Sequence, residues 1–215
     1  MTHYTLIIGN KNYSSWSMRP WLVLRHFGIA FSEQLIPLFE PGYDAAIRAV
    51  SPSGKVPLLV DGDLHVWDSL AICEYLAERH SGLWPQDPAA RAIARSVSAE
   101  MHSGFLALRT NFQCNIRRRT PRAPTPEVQA DINRIVALWT DCRARFGQDG
   151  PYLFGAFSIA DAMYAPVCFR FQTWGVQLSG AAGVYMATML ATPALQDLAR
   201  DAIAEPYRIG KYETD

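Results

Sequence analysis

The sequence of 215 residues predicts an α/β domain followed by an all-helical domain. Three observations predict this order. Short strand-like apolar runs occur in the first third of the chain, composition shifts in the Gly- and Pro-containing segment GLWPQDP, and every later apolar pattern has helical spacing. We therefore place the first domain at residues 1–82, a linker at residues 83–88 and the helical domain at residues 89–215.

The first domain is predicted to begin with a βαβ unit. The apolar run Thr5–Gly9 predicts a strand, residues 16–27 a helix and residues 31–36 a second strand. Such a crossover makes the two strands parallel. Pro20 is expected in the first turn of the helix, where its missing N–H costs nothing. A short helix is predicted at residues 42–50.

The segment at residues 51–75 predicts a strand, a tight turn, a second strand and a helix. The turn is expected at Asp61-Gly62, because Asp-Gly between two apolar runs is a strong hairpin signal. Asp68 and Ser69 predict the start of the helix, since both side chains accept hydrogen bonds from its first N–H groups. A carboxylate, a hydroxyl and helix N–H groups at one point suit a ligand that carries both a carboxylate and an ammonium group.

Val56-Pro57 is a second feature of this segment. The peptide bond before proline is the one where the cis form costs little. A cis bond here would turn the main-chain N–H and C=O of Val56 outward, where a peptide-like ligand pairs as an added strand. The alternative is an ordinary proline in an edge strand.

The helical domain is predicted from apolar residues that recur every three or four positions. Its helices are expected at residues 91–116, 127–146, 159–171, 184–190 and 193–204. Ser158 and Asp161 form a predicted capping box at the start of the third helix. That helix holds only Asp161 and Arg170 as charges, and a helix that is apolar nearly all round is expected to be buried.

Composition excludes several function classes. A formal net charge of zero argues against a general nucleic-acid or membrane-surface binder. No apolar run approaches the ~18 residues of a membrane helix, and the N-terminus lacks a signal-peptide layout, so a cytoplasmic protein is expected. The four cysteines form no CxxC pair, so we predict structural thiols and no metal site; they are Cys73, Cys114, Cys142 and Cys168.

Two motifs, SPSGKVPLL and WDSLAICEYL, resemble at this spacing the glutathione-binding half of a glutathione S-transferase. The resemblance covers both halves of the chain, because the capping box of the helical domain also has a counterpart in that family. It implies a thioredoxin-like N-terminal domain with a helical C-terminal domain, and glutathione as cosubstrate.

The resemblance also implies site residues. Pro57 would be the family's cis-proline, and the main chain of Val56 would pair with the cysteinyl part of glutathione. Asp68 and Ser69 would hold its γ-glutamyl end. Lys55 is a candidate for the glycyl carboxylate, with a plain surface lysine as the alternative.

In the resembling family, the loop between the first strand and the first helix supplies a Tyr, Ser or Cys beside the glutathione sulfur. This loop contains no cysteine here, so a hydroxyl is expected, which lowers the thiol pKa from about 8.5 and makes a better nucleophile. Ser14 is the first candidate and Ser15 the second, with Tyr13 a third contender. Ser15 or Ser17 as a plain helix cap is the alternative.

The predicted function is conjugation of the glutathione thiolate to small, largely apolar electrophiles by a homodimer, with no nucleic-acid or membrane partner. One alternative is maleylacetoacetate isomerase: RPWLVLR is similar to the zeta class, but Trp16 follows Ser15 where that class has cysteine. The other is a non-catalytic glutathione-binding protein. Candidates for the second-substrate pocket, with core packing as the alternative for the two phenylalanines, are Met101, His102, Phe105, Arg109 and Phe112.

Overall fold

The computed structural model describes residues 3–213, and its first domain is a four-stranded mixed sheet with three helices. The strand order is β2-β1-β3-β4, with β1 parallel to β2 and antiparallel to β3. The predicted βαβ–α–ββ–α order is confirmed. The elements are β1 (Tyr4–Ile8), α1 (Ser15–His26), β2 (Phe31–Leu35), α2 (Tyr43–Val50), β3 (Leu58–Asp61), β4 (Leu64–Trp67) and α3 (Ser69–Ala77).

The second domain is helical, as predicted, and no helix within residues 3–213 is long and apolar enough to cross a membrane. Its central helix α7 is buried along nearly its whole length and packs against α1 and α4. The helices are α4 (Pro88–Ser103), α5 (Leu106–Asn111), α6 (Pro126–Phe146), α7 (Ile159–Trp174), α8 (Gly180–Ala191) and α9 (Pro193–Ala204), and a 3₁₀ turn follows at Gly210–Tyr212.

The single helix expected at residues 91–116 is wrong, because the chain breaks between α4 and α5. Phe105 has a φ of 57°, which ends the helical path. A Cβ on Gly104 would lie 2.8 Å from the carbonyl oxygen of Glu100, so glycine is needed there. The break separates α5 from α4, and α5 packs against α6.

Two local expectations in the first domain also need correction. Helix α1 begins at Ser15, so Pro20 lies in its second turn rather than its first. In the hairpin, Asp61 pairs with Leu64, which places the two-residue turn one position later, at Gly62-Asp63.

The capping box at the start of α7 is confirmed. The Ser158 N–H donates to Asp161 Oδ2 at 2.9 Å, and the Ser158 hydroxyl donates to the same oxygen at 3.1 Å. The other oxygen accepts from the Leu153 N–H at 3.1 Å and the Tyr185 hydroxyl at 3.0 Å. Asp161 is fully buried, and burial raises its pKa to about 6 although these donors favour the charged form.

Candidate functional site

Two cavities meet where the first domain faces the helical domain. The Ser14 cavity, of about 600 Å³, is lined among others by Ser14, Ser15, Arg109 and Arg170. The Asp68 cavity, of about 490 Å³, is lined among others by Pro57, Asp68, Ser69 and His102. Trp16, Lys55 and Val56 line both cavities. The residues predicted to bind glutathione or to lie beside its sulfur border this double cavity; they are Ser14, Ser15, Lys55, Val56, Pro57, Asp68 and Ser69.

Asp68 caps the start of α3. Its Oδ1 accepts from the N–H groups of Leu70 at 2.9 Å and Ala71 at 3.3 Å, while its Oδ2 lies 3.2 Å from His102 Nε2. The residue has a φ of 74°, a conformation that costs free energy for a side chain other than glycine. Such strain recurs at ligand sites, and here it points a carboxylate into the cavity wall.

Ser69 follows at the first position of α3 and is 1% exposed. Its hydroxyl accepts a hydrogen bond of 3.4 Å from the Arg19 guanidinium. Because Asp68 already occupies the next two N–H groups, the Ser69 N–H is the donor that this helix start leaves for a ligand.

The Val56–Pro57 peptide bond is cis. The ladder of β3 begins at Leu58, which pairs with Ile7 and Trp67, so Val56 lies just outside it. Within the described backbone pairings, those of residues 3–213, Val56 has no partner. Its main chain therefore lies at the junction of the two cavities.

Ser14, rather than Ser15 or Ser17, caps α1, so that alternative is wrong. The Ser14 hydroxyl accepts from the Ser17 N–H at 3.3 Å and donates to Ser17 Oγ at 2.8 Å. The Ser15 hydroxyl accepts from Arg170 at 3.3 Å. Both hydroxyls border the Ser14 cavity, but Ser14 is bonded to Ser17 of its own helix, whereas Ser15 is bonded to Arg170 of α7.

Tyr13 borders the same cavity but its hydroxyl is fully engaged. It donates to Glu213 and accepts from Arg117 at 3.0 Å and from the Ile209 N–H at 3.3 Å. Burial and the bond to Glu213 raise its pKa. This hydroxyl ties the first loop to the C-terminal segment and has no further hydrogen to donate.

The helical domain contributes cavity-lining residues to which the sequence analysis gave less weight. Arg109 borders the Ser14 cavity and His102 the Asp68 cavity, while the remaining pocket candidates, Met101, Phe105 and Phe112, are buried in the core. The sequence analysis noted Arg170 only as a charge in a helix expected to be buried. A charge isolated in an otherwise apolar helix is the sequence feature that could have identified it as a cavity residue. Burial lowers the pKa of His102, which favours the neutral ring.

Trp16 forms the wall shared by both cavities. The Arg19 guanidinium lies 4.4 Å and the Arg109 guanidinium 5.4 Å from the centre of its ring, and the His102 ring meets it edge-on at 5.3 Å. The sequence analysis used Trp16 only as a departure from the zeta-class motif. Among residues 3–213 no cluster of His, Cys, Asp and Glu is arranged to hold a metal ion.

The chain belongs to the glutathione S-transferase family. Residues 13–79 match the model of the glutathione S-transferase N-terminal domain, and residues 122–201 match that of the C-terminal domain. A probable glutathione S-transferase of Oryza sativa is 32% identical over 158 residues, which cover 68% of this chain and 72% of that protein.

Other relatives carry different names. A stringent starvation protein A homolog of Pasteurella multocida is 28% identical over 163 residues, 74% of this chain and 72% of that protein. A probable maleylacetoacetate isomerase of Caenorhabditis elegans is 35% identical over 101 residues, 46% of each chain. Family membership therefore leaves the reaction open.

Among solved structures, the theta-class glutathione S-transferase of Xanthomonas axonopodis pv. citri with glutathione bound superposes with a TM-score of 0.66. It is 26% identical, and the match covers 95% of this chain and 100% of that chain. The likeness therefore extends over both domains.

Proposed function

We propose that the protein is a glutathione transferase, in which the glutathione thiolate attacks an electrophilic carbon of a small second substrate. One observation carries this proposal: the Ser14 and Asp68 cavities meet at Trp16, Lys55 and Val56. A tripeptide lying across that junction has its amino-terminal end at a helix start and its sulfur beside serine hydroxyls.

Charge complementarity supports the orientation of glutathione. At the γ-glutamyl end, the ammonium group pairs with Asp68, and the carboxylate accepts from the Ser69 hydroxyl and N–H. The cysteinyl main chain pairs with Val56 as an added strand. Exposed Lys55, on the rim of both cavities, binds the glycyl carboxylate.

The sulfur then lies at the start of α1. The Ser14 O–H turns from Ser17 towards the sulfur while its oxygen keeps the bond from the Ser17 N–H. A donated hydrogen bond and the positive helix start favour the thiolate, so the thiol ionises below its usual pKa of about 8.5. The thiol proton goes to solvent, the sulfur bonds to the electrophilic carbon, and the leaving group departs with its electron pair.

The experiment is a calorimetric titration with glutathione, followed by a conjugation assay with chlorodinitrobenzene. Saturable binding and turnover above the uncatalysed rate are expected. Binding without turnover contradicts the transferase and favours the non-catalytic alternative. Absence of binding contradicts both.

Replacing the hydroxyl nearest the sulfur tests the assignment of Ser14. Ser14→Ala is expected to lower kcat/KM about 100-fold, the usual effect of removing one donor from a developing or stabilised anion. Ser15→Ala is expected to cost less than about tenfold. Ser103→Ala is the matched control, since that hydroxyl is exposed and donates to the Ala99 carbonyl oxygen of its own helix. The reverse pattern would assign the role to Ser15.

A glutathione-dependent isomerase is the second candidate, favoured by the 35% identity to the Caenorhabditis elegans protein. In that case glutathione adds to a double bond of the substrate and leaves again. An assay with such a substrate would then show isomerised product without consumption of thiol. The homodimer, which the family resemblance implies, and the cytoplasmic location, which is expected from the sequence, stay predictions.

A further inference from the structure

Three arginines from different elements lie at or beside the Ser14 cavity. Arg109 of α5 and Arg170 of α7 line it, and Arg19 of α1 lies against the ring of Trp16 in its wall. Arg170 is 6% exposed and Arg19 1% exposed. Positive charge is therefore concentrated beside the serine hydroxyls and largely shielded from water.

The acceptors of Arg170 are neutral. Its guanidinium donates to the carbonyl oxygens of Phe112 and Arg109 and to the Ser15 hydroxyl. These three bonds hold the group in place at the cavity wall. None of them neutralises its charge.

Arg109 and Arg19 have neutral acceptors as well. Arg109 donates to the carbonyl oxygen of His102 at 3.1 Å, and Arg19 donates to the Ser69 hydroxyl. The buried Arg19 Nε has no acceptor within residues 3–213. In the same part of the chain, none of the three arginines forms an ion pair with a carboxylate.

An unpaired buried charge is strongly unfavourable, and here Arg19 and Arg170 are both buried, with half-buried Arg109 beside them. Burial, together with the charges of Arg170 and Arg109, lowers the pKa of Arg19 to about 9, and burial also lowers that of Arg170. All three groups still carry their protons at neutral pH. An anion in the cavity would offset this cost, so the site is built to receive one.

The proposed pose of glutathione leaves Arg109 and Arg170 for another anion. Its two carboxylates lie at Ser69, beside Arg19, and at Lys55, and its thiolate is one charge against the two remaining arginines. The rest of the Ser14 cavity is largely apolar and aromatic, which suits a hydrocarbon body; these residues are Leu38, Phe39, Tyr43, Ile47 and Tyr212.

We propose that the electrophile accepted in the Ser14 cavity is a carboxylic acid with an apolar body, and that Arg109 and Arg170 hold its carboxylate. The planar fork of a guanidinium group matches a carboxylate in two parallel hydrogen bonds. This inference rests on the proposed transferase function. It narrows the expected class of small apolar electrophiles to those that carry a carboxylate.

A matched pair of aryl chlorides, chloronitrobenzoate and chloronitrobenzamide, tests the inference. In both, the glutathione sulfur bonds to the chlorine-bearing carbon, chloride leaves with the electron pair, and the thiol proton goes to solvent. After division by the uncatalysed rates, kcat/KM is expected to be at least about tenfold higher for the acid, as one charge-assisted pair supplies.

Arg109→Gln is expected to lower the acid-to-amide ratio at least about fivefold. Arg134→Gln, which removes an exposed arginine paired with Glu100 outside the cavity, should leave the ratio unchanged. A wild-type ratio near one overturns the inference alone. An equal fall for both compounds in Arg109→Gln also overturns it and assigns the arginines to glutathione. If neither compound nor chlorodinitrobenzene reacts, the transferase function itself fails.

Discussion

The two walls of the cleft recognise ligands by different means. The first-domain wall presents the main chain of Val56, the start of α3 and the charged side chains of Asp68 and Lys55. The helical wall presents the side chains of Arg109 and Arg170, whose acceptors are neutral. In the proposed reaction, the first wall binds glutathione, which is the same in every turnover, whereas the second wall selects the electrophile.

The helical wall depends on the start of α7, so removing that cap tests it most severely. Asp161→Ala leaves four buried donors without their acceptor and is expected to lower the free energy of unfolding by about 3 kcal/mol. Urea denaturation measures the change. Asp141→Ala, at an exposed pair with Arg145, is the control and should change stability by less than about 0.5 kcal/mol. A loss below about 1 kcal/mol for Asp161→Ala would contradict this account.

The Asp161 carboxyl also makes the stability of the protein depend on pH. Its pKa of about 6 in the native state exceeds the value of about 3.9 in unfolded chains. Its contribution to stability is therefore full below about pH 4 and is lost as the pH rises through about 6. The stability of the wild type relative to Asp161→Asn should fall by about 2–3 kcal/mol between pH 4 and 7. Parallel denaturation series of the two proteins measure this difference, and a constant gap would refute it.

The smallest expected effect concerns the first wall. Asp68→Asn keeps a good helix cap but removes the charge that, in the proposed complex, pairs with the ammonium group of glutathione. The dissociation constant for glutathione is expected to rise about tenfold to thirtyfold, with little change in stability. Calorimetry measures the affinity for glutathione of the wild type and of Asp68→Asn. Asp63→Asn, in the exposed hairpin turn, is the control. An unchanged constant would remove Asp68 from the site.

Local patterns predicted most of the first wall. A proline after an apolar residue, an Asp-Ser helix start and a serine-containing loop are each read within a few residues, and the structure gathers them around one double cavity. The choice among Ser14, Ser15 and Ser17 as cap was not predictable, because all three are equally good caps. Packing of the apolar face of α1 against the core decides where that helix begins.

The break at Gly104-Phe105 was missed for a related reason. Apolar spacing continues across it, so the pattern predicts one helix, while Phe105 adopts a left-handed conformation. Without that break, Arg109 would be placed on the extension of α4 rather than on α5. Helical periodicity reports burial, and it does not report where a buried helix ends.

By itself, the sequence determined the fold class, the family resemblance and the part of the site that consists of backbone and helix starts, because short-range sterics and hydrogen bonding decide those features. The arginine-rich wall was decided only by tertiary structure. Arg170 and Ser15 are 155 positions apart in the chain, yet a hydrogen bond joins them. Only the packing of α7 against α1 brings such residues together, and no local pattern encodes that contact.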